Sequence, residues 1–190
     1  VMTQQGKNAI DLVLAESLIE LSAKKPIDKI TIKEITDKAG VIRPTFYNHF
    51  QDKYELIEWI IKSELLEPIK PLLNAGMIFE AIVLMLNNIS ANSVFYKKAL
   101  KLEGAVTFNQ IAMKCVYEMF MNIINEKSTG KKSKYRWLTP EVISTYYAQS
   151  LCFITEGWIA QGMDDIEPKE MAEAYMYLIT RSMDDILSEL

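Results

Sequence analysis

The chain has 190 residues, 49% of them apolar, two cysteines, one histidine and a formal net charge of −4. That length holds one ordinary domain or two small ones sharing a core, with enough apolar residues to fold without disulfide staples. The amino terminus has no signal-peptide pattern and no run of about 18 uncharged apolar residues occurs, so a protein of a reducing cytoplasm is expected, with no membrane partner.

Only seven glycines and six prolines interrupt a helical periodicity, and no alternating strand pattern occurs, so the fold is expected to be all-α. A first helix, Gln5 to Ala23, carries Ile10, Leu14, Leu18 and Leu21 on one side. Thr31 and Glu34 form an S/T-x-x-E capping box that opens a short helix with Ile32 and Ile35 facing a core. Gly40 supplies a position tolerant of positive φ, Val41 plugs the turn, and Arg43-Pro44-Thr45 opens another short helix ending near Phe50. Asp52 caps a long helix through Trp59, Ile60 and Leu65 toward Pro68.

Beyond the break at Asn74-Ala75-Gly76, helices are predicted from Met77 to Ser90, from Val94 to Leu102, and from Gly104 onward. The last of these repeats apolar pairs every four residues, Ile111-Ala112 to Ile123-Ile124, and so buries one broad face. Cys115 and Cys152 fall within such patterns and read as small buried hydrophobes. Lys127 to Lys134 reads as an exposed loop. Thr139-Pro140-Glu141 starts a helix to about Gln161, with Ile143, Tyr147, Leu151, Ile154 and Trp158 as its stripe. After Pro168 a single last helix carries Met171, Tyr175, Leu178, Ser182 and Ile186, with Ile179 beside them.

Two short helices around a tight glycine turn form the arrangement in which the second helix enters the major groove of DNA. The balance of charge allows this. Residues 1–62 hold nine basic and nine acidic residues, while residues 63–190 hold twelve and sixteen, so the acid lies away from the reading head. Lys7, Lys29, Lys33, Arg43 and Lys53 are candidate phosphate-facing cations. Arg43 can bind guanine O6 and N7 in bidentate fashion, Thr45 can meet a thymine methyl or a phosphate, and Asn48 or His49 can reach neighbouring edges or backbone.

Ala39-Gly40-Val41, Thr45 to Phe50, Lys53 and Glu55-Leu56 together resemble the amino-terminal signature of TetR-type transcriptional regulators, over roughly residues 8 to 62. Phe95 to Lys98 and Ser133 to Trp137 resemble the Firmicutes-type branch that includes dihydroxyacetone kinase operon regulators. The chain departs from the common pattern at Ile42, where Ser or Thr often caps the recognition helix, and at Pro44, where Gly is frequent. The resemblance implies a helix-turn-helix head over 1–52 and a ligand-binding and dimerisation body over 53–190. It implies that Tyr47 and Lys53 hold phosphates while Phe46 and Phe50 pack the head. Thr31, Lys33, Arg43, Pro44, Thr45, Tyr47, Asn48, His49 and Lys53 are therefore the expected DNA-binding set, on a double-stranded operator.

The resemblance also implies an effector pocket, for which Met85, Phe95, Tyr96, Met113, Tyr117, Phe120 and Phe153 are the apolar candidates. The two terminal helices are expected to pair with those of a second copy through Tyr147, Leu151, Ile154, Gly157, Trp158, Tyr175, Leu178 and Ile179, giving a homodimer. Glu118 and Glu156 are candidates to meet a cationic effector or to face solvent. No cofactor is expected: the single histidine leaves no His-based triad or multi-histidine metal site, and no Gly-rich phosphate loop occurs. The expected function is a DNA-binding regulator, a repressor in sign, controlled by a small molecule. The alternatives are control by a protein partner and, remotely, a helical enzyme.

Overall fold

The computed structural model describes residues 4–127 and 133–189, with side chains from Ala9 on. The head is built from α1 (Gln4–Ser22), a 3-10 turn (Ile27–Lys29), α2 (Ile32–Ala39) and α3 (Arg43–Tyr47). The capping box forms in full: Glu34 N–H donates to Thr31 Oγ1 at 3.2 Å, and Thr31 N–H donates to Glu34 Oε2 at 2.9 Å. The Lys25 ammonium at 2.5 Å, together with Thr31, holds the Glu34 carboxyl down to about 2. Gly40 ends α2 at φ +70°, a conformation costly for any residue with a Cβ.

Because Ile42 has no polar side chain, α3 starts without a side-chain cap, and Pro44 in its first turn supplies a preset φ instead. Five residues cannot hold a helix in water by themselves. Packing does so here: Leu14, Leu18, Ile35, Phe46 and Leu56 are all fully buried, each worth about 1.5–3 kcal/mol. Replacing Phe46 with alanine would cost about 3–5 kcal/mol and release α3 from the head.

Asp52 caps α4 (Lys53–Ile60), accepting from Tyr54 N–H at 2.8 Å and Glu55 N–H at 2.9 Å. The helix then widens into a π-helical stretch, Ile61–Leu66, where Glu67 N–H reaches back five residues to the Lys62 carbonyl at 2.8 Å. The Asn88 side chain donates to the Glu64 carbonyl of this stretch at 2.8 Å.

The body continues through α5 (Lys70–Asn74), α6 (Ile78–Ala91), α7 (Ser93–Ala99), α8 (Phe108–Lys127), α9 (Pro140–Ala160), α10 (Pro168–Thr180) and α11 (Met183–Glu189). The most extensive pairing joins α8 to α9, running antiparallel, and α10 lies against α6. One continuous apolar core runs from Leu14 in the head to Tyr175 in α10. Among the described residues only an isolated bridge, Glu103 to Thr107, resembles strand pairing. No single described helix is long and apolar enough to cross a membrane.

Three boundaries differ from the sequence reading. α8 starts at Phe108 rather than Gly104, because Thr107 and Gln110 exchange side-chain and backbone hydrogen bonds as a second capping box. Gly104 instead lies in a bend where a Cβ would stand 2.3 Å from the Tyr54 hydroxyl. The expected single last helix breaks at Arg181, which is extended, and α11 restarts where Ser182 and Asp185 bond each other. α5 was not expected. Of the expected 127–134 loop, residues 128–132 lie outside the described set, as does the Lys7 side chain.

Candidate DNA interface and regulatory cavity

α3 is seated by its aromatic side. Phe46 is fully buried and stacks on Phe50 at 5.9 Å between ring centroids, and Phe50 meets Trp59 of α4 edge-on at 6.4 Å. The opposite side is free: Arg43, Pro44, Tyr47 and Asn48 are exposed and Thr45 is half-buried. The Arg43 guanidinium donates to the Tyr47 hydroxyl at 3.1 Å and lies 5.6 Å from the Tyr47 ring centroid. That stacking orders the fork of a long side chain before any ligand arrives.

Four residues of the expected DNA-binding set are occupied elsewhere. The His49 side chain is 1% exposed and bonded through Nδ1 to Asp11 at 2.6 Å, so it cannot reach into a groove. The Lys53 ammonium donates to the carbonyls of Ile27, Asp28 and Ile30 at 3.0, 2.8 and 3.2 Å, tying α4 to the 3-10 turn. Burial lowers its pKa. The Thr31 hydroxyl is committed to the cap, and Lys33 is exposed but paired with Asp37 at 2.5 Å. Sequence reasoning missed Ile42, 69% exposed at the start of α3; its only signal was the departure from a polar cap.

Residues 16–60 match the family described as bacterial regulatory proteins, tetR family, and residues 77–181, more than half of the chain, match a transcriptional regulator C-terminal region. The chain belongs to the TetR family of transcriptional regulators. It is a DNA-binding regulator, and the matched families are regulators of transcription rather than enzymes. Among curated relatives, the HTH-type dhaKLM operon transcriptional activator DhaS of Lactococcus lactis subsp. lactis (strain IL1403) is 26% identical over 152 residues, 79% of either chain. A solved structure described as dihydroxyacetone kinase operon activator DhaS superposes with a TM-score of 0.63 at 21% identity, covering 90% of this chain and 93% of that one. Native NalD, described as the secondary repressor of the MexAB-OprM multidrug efflux pump in Pseudomonas aeruginosa, gives 0.59 at 13% identity, covering 91% and 96%. At those identities the structural likeness speaks for the TetR fold alone.

Within the TetR-type body, a cavity of about 40 Å³ is walled by the π-helical stretch (Ile61, Leu65, Leu66), α6, α8 and α9. Of the seven pocket candidates, Met85 and Tyr96 line it. Phe95 is buried in the core beside it, and Met113, Tyr117 and Phe120 pack on the core without reaching it. Phe153 is 77% exposed and points away, because it falls on the outer side of α9. The cavity has room for a water-sized guest rather than a metabolite, and its lining is apolar apart from Tyr96, Cys152, Thr155 and Glu156. Thr155 Oγ1 is buried there without a hydrogen-bond partner among the described residues.

Cys115 and Cys152 are buried free thiols, each pushed up to about 12 by burial, which makes them inert. Neither acidic candidate is free. Glu156 accepts from Asn109 at 2.8 and 2.9 Å, burial raising its pKa, and Glu118 pairs with Lys62 at 2.8 Å. Lys62 also pairs with Glu58 at 2.7 Å, and Glu58 holds Lys114 of α8 at 2.8 Å. This chain of charges fastens α4, the stem of the head, to α8.

The expected dimer seam needs rephasing. Leu151, Trp158 and Tyr175 are 5%, 2% and 3% exposed within a single chain, and Ile154 and Ile179 pack on that same core. The most apolar stripe of α9 is satisfied by α8 of its own chain before a second copy arrives. Tyr147 and Leu178 remain exposed, joined by Tyr146 and Phe153, and Gly157 sits in the floor of an open groove with Phe153 and Ala160.

Proposed function

We propose that two copies of this chain bind a two-fold-symmetric operator in the cytoplasm, each inserting α3 into a major groove. The observation that carries this reading is α3 itself, anchored by buried Phe46 and presenting Arg43, Pro44, Tyr47 and Asn48 outward. Arg43 reads a guanine, Thr45 and the exposed Ile42 meet thymine methyls, and Tyr47 and Asn48 hold backbone or a neighbouring base edge. A head of zero net charge gives a modest phosphate footprint, so affinity depends on two heads acting together across about 34–36 Å or a multiple of it.

The copies pair through the outer face of α9 and α10, with Tyr146, Phe153, Gly157 and Leu178 at the seam. A small molecule that enlarges the cavity beside the π-helical stretch moves α4 and with it the spacing of the heads. We read the sign as repression at an operator overlapping a promoter. DhaS, named an activator, marks the other outcome for a similar chain.

The testing experiment is selection of bound fragments from random duplexes by the full chain. A recovered half-site repeated with two-fold symmetry is expected, and Arg43→Ala should relax one base position of it. Recovery of no preferred sequence by folded protein refutes the reading. Phe153→Glu should shift the sedimenting species toward monomer.

A second reading, control by a protein partner, is supported by a surface that shares Tyr146 with the proposed seam and extends beyond it. Tyr135, Trp137 and Tyr146 are 61%, 74% and 62% exposed around the start of α9, beside Lys134 and Arg136. Clustered exposed aromatics of this kind mark interaction sites.

A further inference from the structure

We propose that Asp11 is a positioning residue for DNA reading, acting on the recognition helix through His49. The need for such a residue follows from α3 itself, which has five residues and no side-chain cap at its start. A helix that short has almost no stability of its own, so its orientation is set by what grips it from outside. Phe46 and Phe50 grip it with apolar contacts, which resist separation but leave rotation about the helix axis soft. A directional bond is required to fix the angle at which Arg43 and Tyr47 face outward.

Among the described residues the Asp11–His49 pair is the directional bond that fulfils this. His49 follows the last turn of α3, its N–H donating to the Phe46 carbonyl at 2.9 Å. Its ring is 1% exposed, and the Asp11 side chain, 14% exposed, approaches Nδ1 at 2.6 Å. A carboxylate oxygen accepts, so Nδ1 carries the hydrogen in this pair. The bond spans 38 residues of sequence and joins α1 to the far end of α3. α1 also packs against α7 of the body, so the same bond carries the orientation of the body to the groove-facing helix.

The inference rests on the reading of α3 as the groove-facing helix, and the test separates the two. The readout is the ratio of affinities for a duplex recovered by random selection and for a shuffled duplex of equal length and composition. A wild-type ratio near one sinks the reading of α3; a high wild-type ratio makes the variants informative. Asp11→Ala should lower that ratio about ten-fold while its affinity for the shuffled duplex stays within about two-fold.

Asp11→Asn, whose side-chain carbonyl still accepts from Nδ1, should keep most of the ratio. An unchanged ratio in folded Asp11→Ala, or an equal fall in both variants, overturns the proposal. If the alanine variant does not fold, Asp11→Glu replaces it in the comparison. One methylene too long for the 2.6 Å geometry, it should lose the ratio that asparagine keeps, and equal ratios overturn the proposal.

Discussion

Gly104 offers the sharpest test of how the body is seated on the head. A Cβ there would stand 2.3 Å from Tyr54 Oη, 3.2 Å from Asp28 Oδ1 and 3.3 Å from Tyr54 Cζ. Gly104→Ala must therefore displace the Tyr54 hydroxyl by about 1 Å, and Tyr54 is partly buried against the core. Overpacking of this kind costs about 1–3 kcal/mol. For a chain of this size that lowers Tm by roughly 2–12 °C. Removing the hydroxyl should relieve it: in a Tyr54→Phe background the nearest remaining atoms lie at 3.2 and 3.3 Å, contacts that a small shift absorbs.

The assay is urea unfolding followed by far-ultraviolet circular dichroism, at one protein concentration because the stability of the proposed dimer would depend on it. All four members of the cycle are measured, and a coupling of about 1–2 kcal/mol favouring the double variant is expected. A Gly104→Ala penalty below about 0.5 kcal/mol, or one undiminished without the hydroxyl, would refute the close approach of loop and head.

Lys53→Ala should destabilise the fold by about 1–3 kcal/mol, since it removes three hydrogen bonds to carbonyls. It should leave the salt slope of DNA binding unchanged, where loss of a phosphate contact would flatten it by about one unit. Glu58→Gln should cost about 1 kcal/mol at pH 7. Burial opposes the Glu58 charge, but hydrogen bonds from Lys114 and Lys62 win and hold its carboxyl below the ordinary range. Its contribution is thus present above the unfolded carboxyl's value and lost as pH falls through the folded one, so wild type and variant should converge in acid unfolding. Thr155→Val replaces an unpartnered hydroxyl with a methyl group and should be neutral or stabilising by up to about 1 kcal/mol. A loss of stability in thermal melts would reveal a partner for that hydroxyl.

The head was legible in the sequence because its signals are local. Thr31 and Glu34, Gly40, and Asp52 each fix a helix end through atoms within four residues of themselves. The roles of His49 and Lys53 were not legible, because each is decided by a partner 23 to 38 residues away, and a cation or imidazole looks the same in sequence whether it faces water or a carbonyl. The α9 stripe failed for a related reason. Periodicity identifies an apolar face but not whether the chain's own α8 or a second copy covers it, so the burial of Leu151 and Trp158 within one chain was not readable. The starts of α8 and α11 are written in Thr107 with Gln110 and in Ser182 with Asp185, signals weaker than the nearby glycine and proline.

The wide turn at Ile61–Leu66 has an evolutionary corollary. Buried side chains along this stem step from Leu56 to Ile60 to Leu65, advancing four and then five positions, and the surplus position falls inside the π-helical stretch. An ordinary helix would swing the downstream face by about 100° for that extra residue, whereas the widened turn absorbs it and keeps both faces inward. Excision of Ser63 would bring Leu65 to four positions after Ile60 and heal the stem, while excision of Trp59 would turn Ile60 by about 100° against Leu56. A length change should thus be tolerated at this one place on the stem, where lineages of the protein could gain or lose a residue without re-aiming the head.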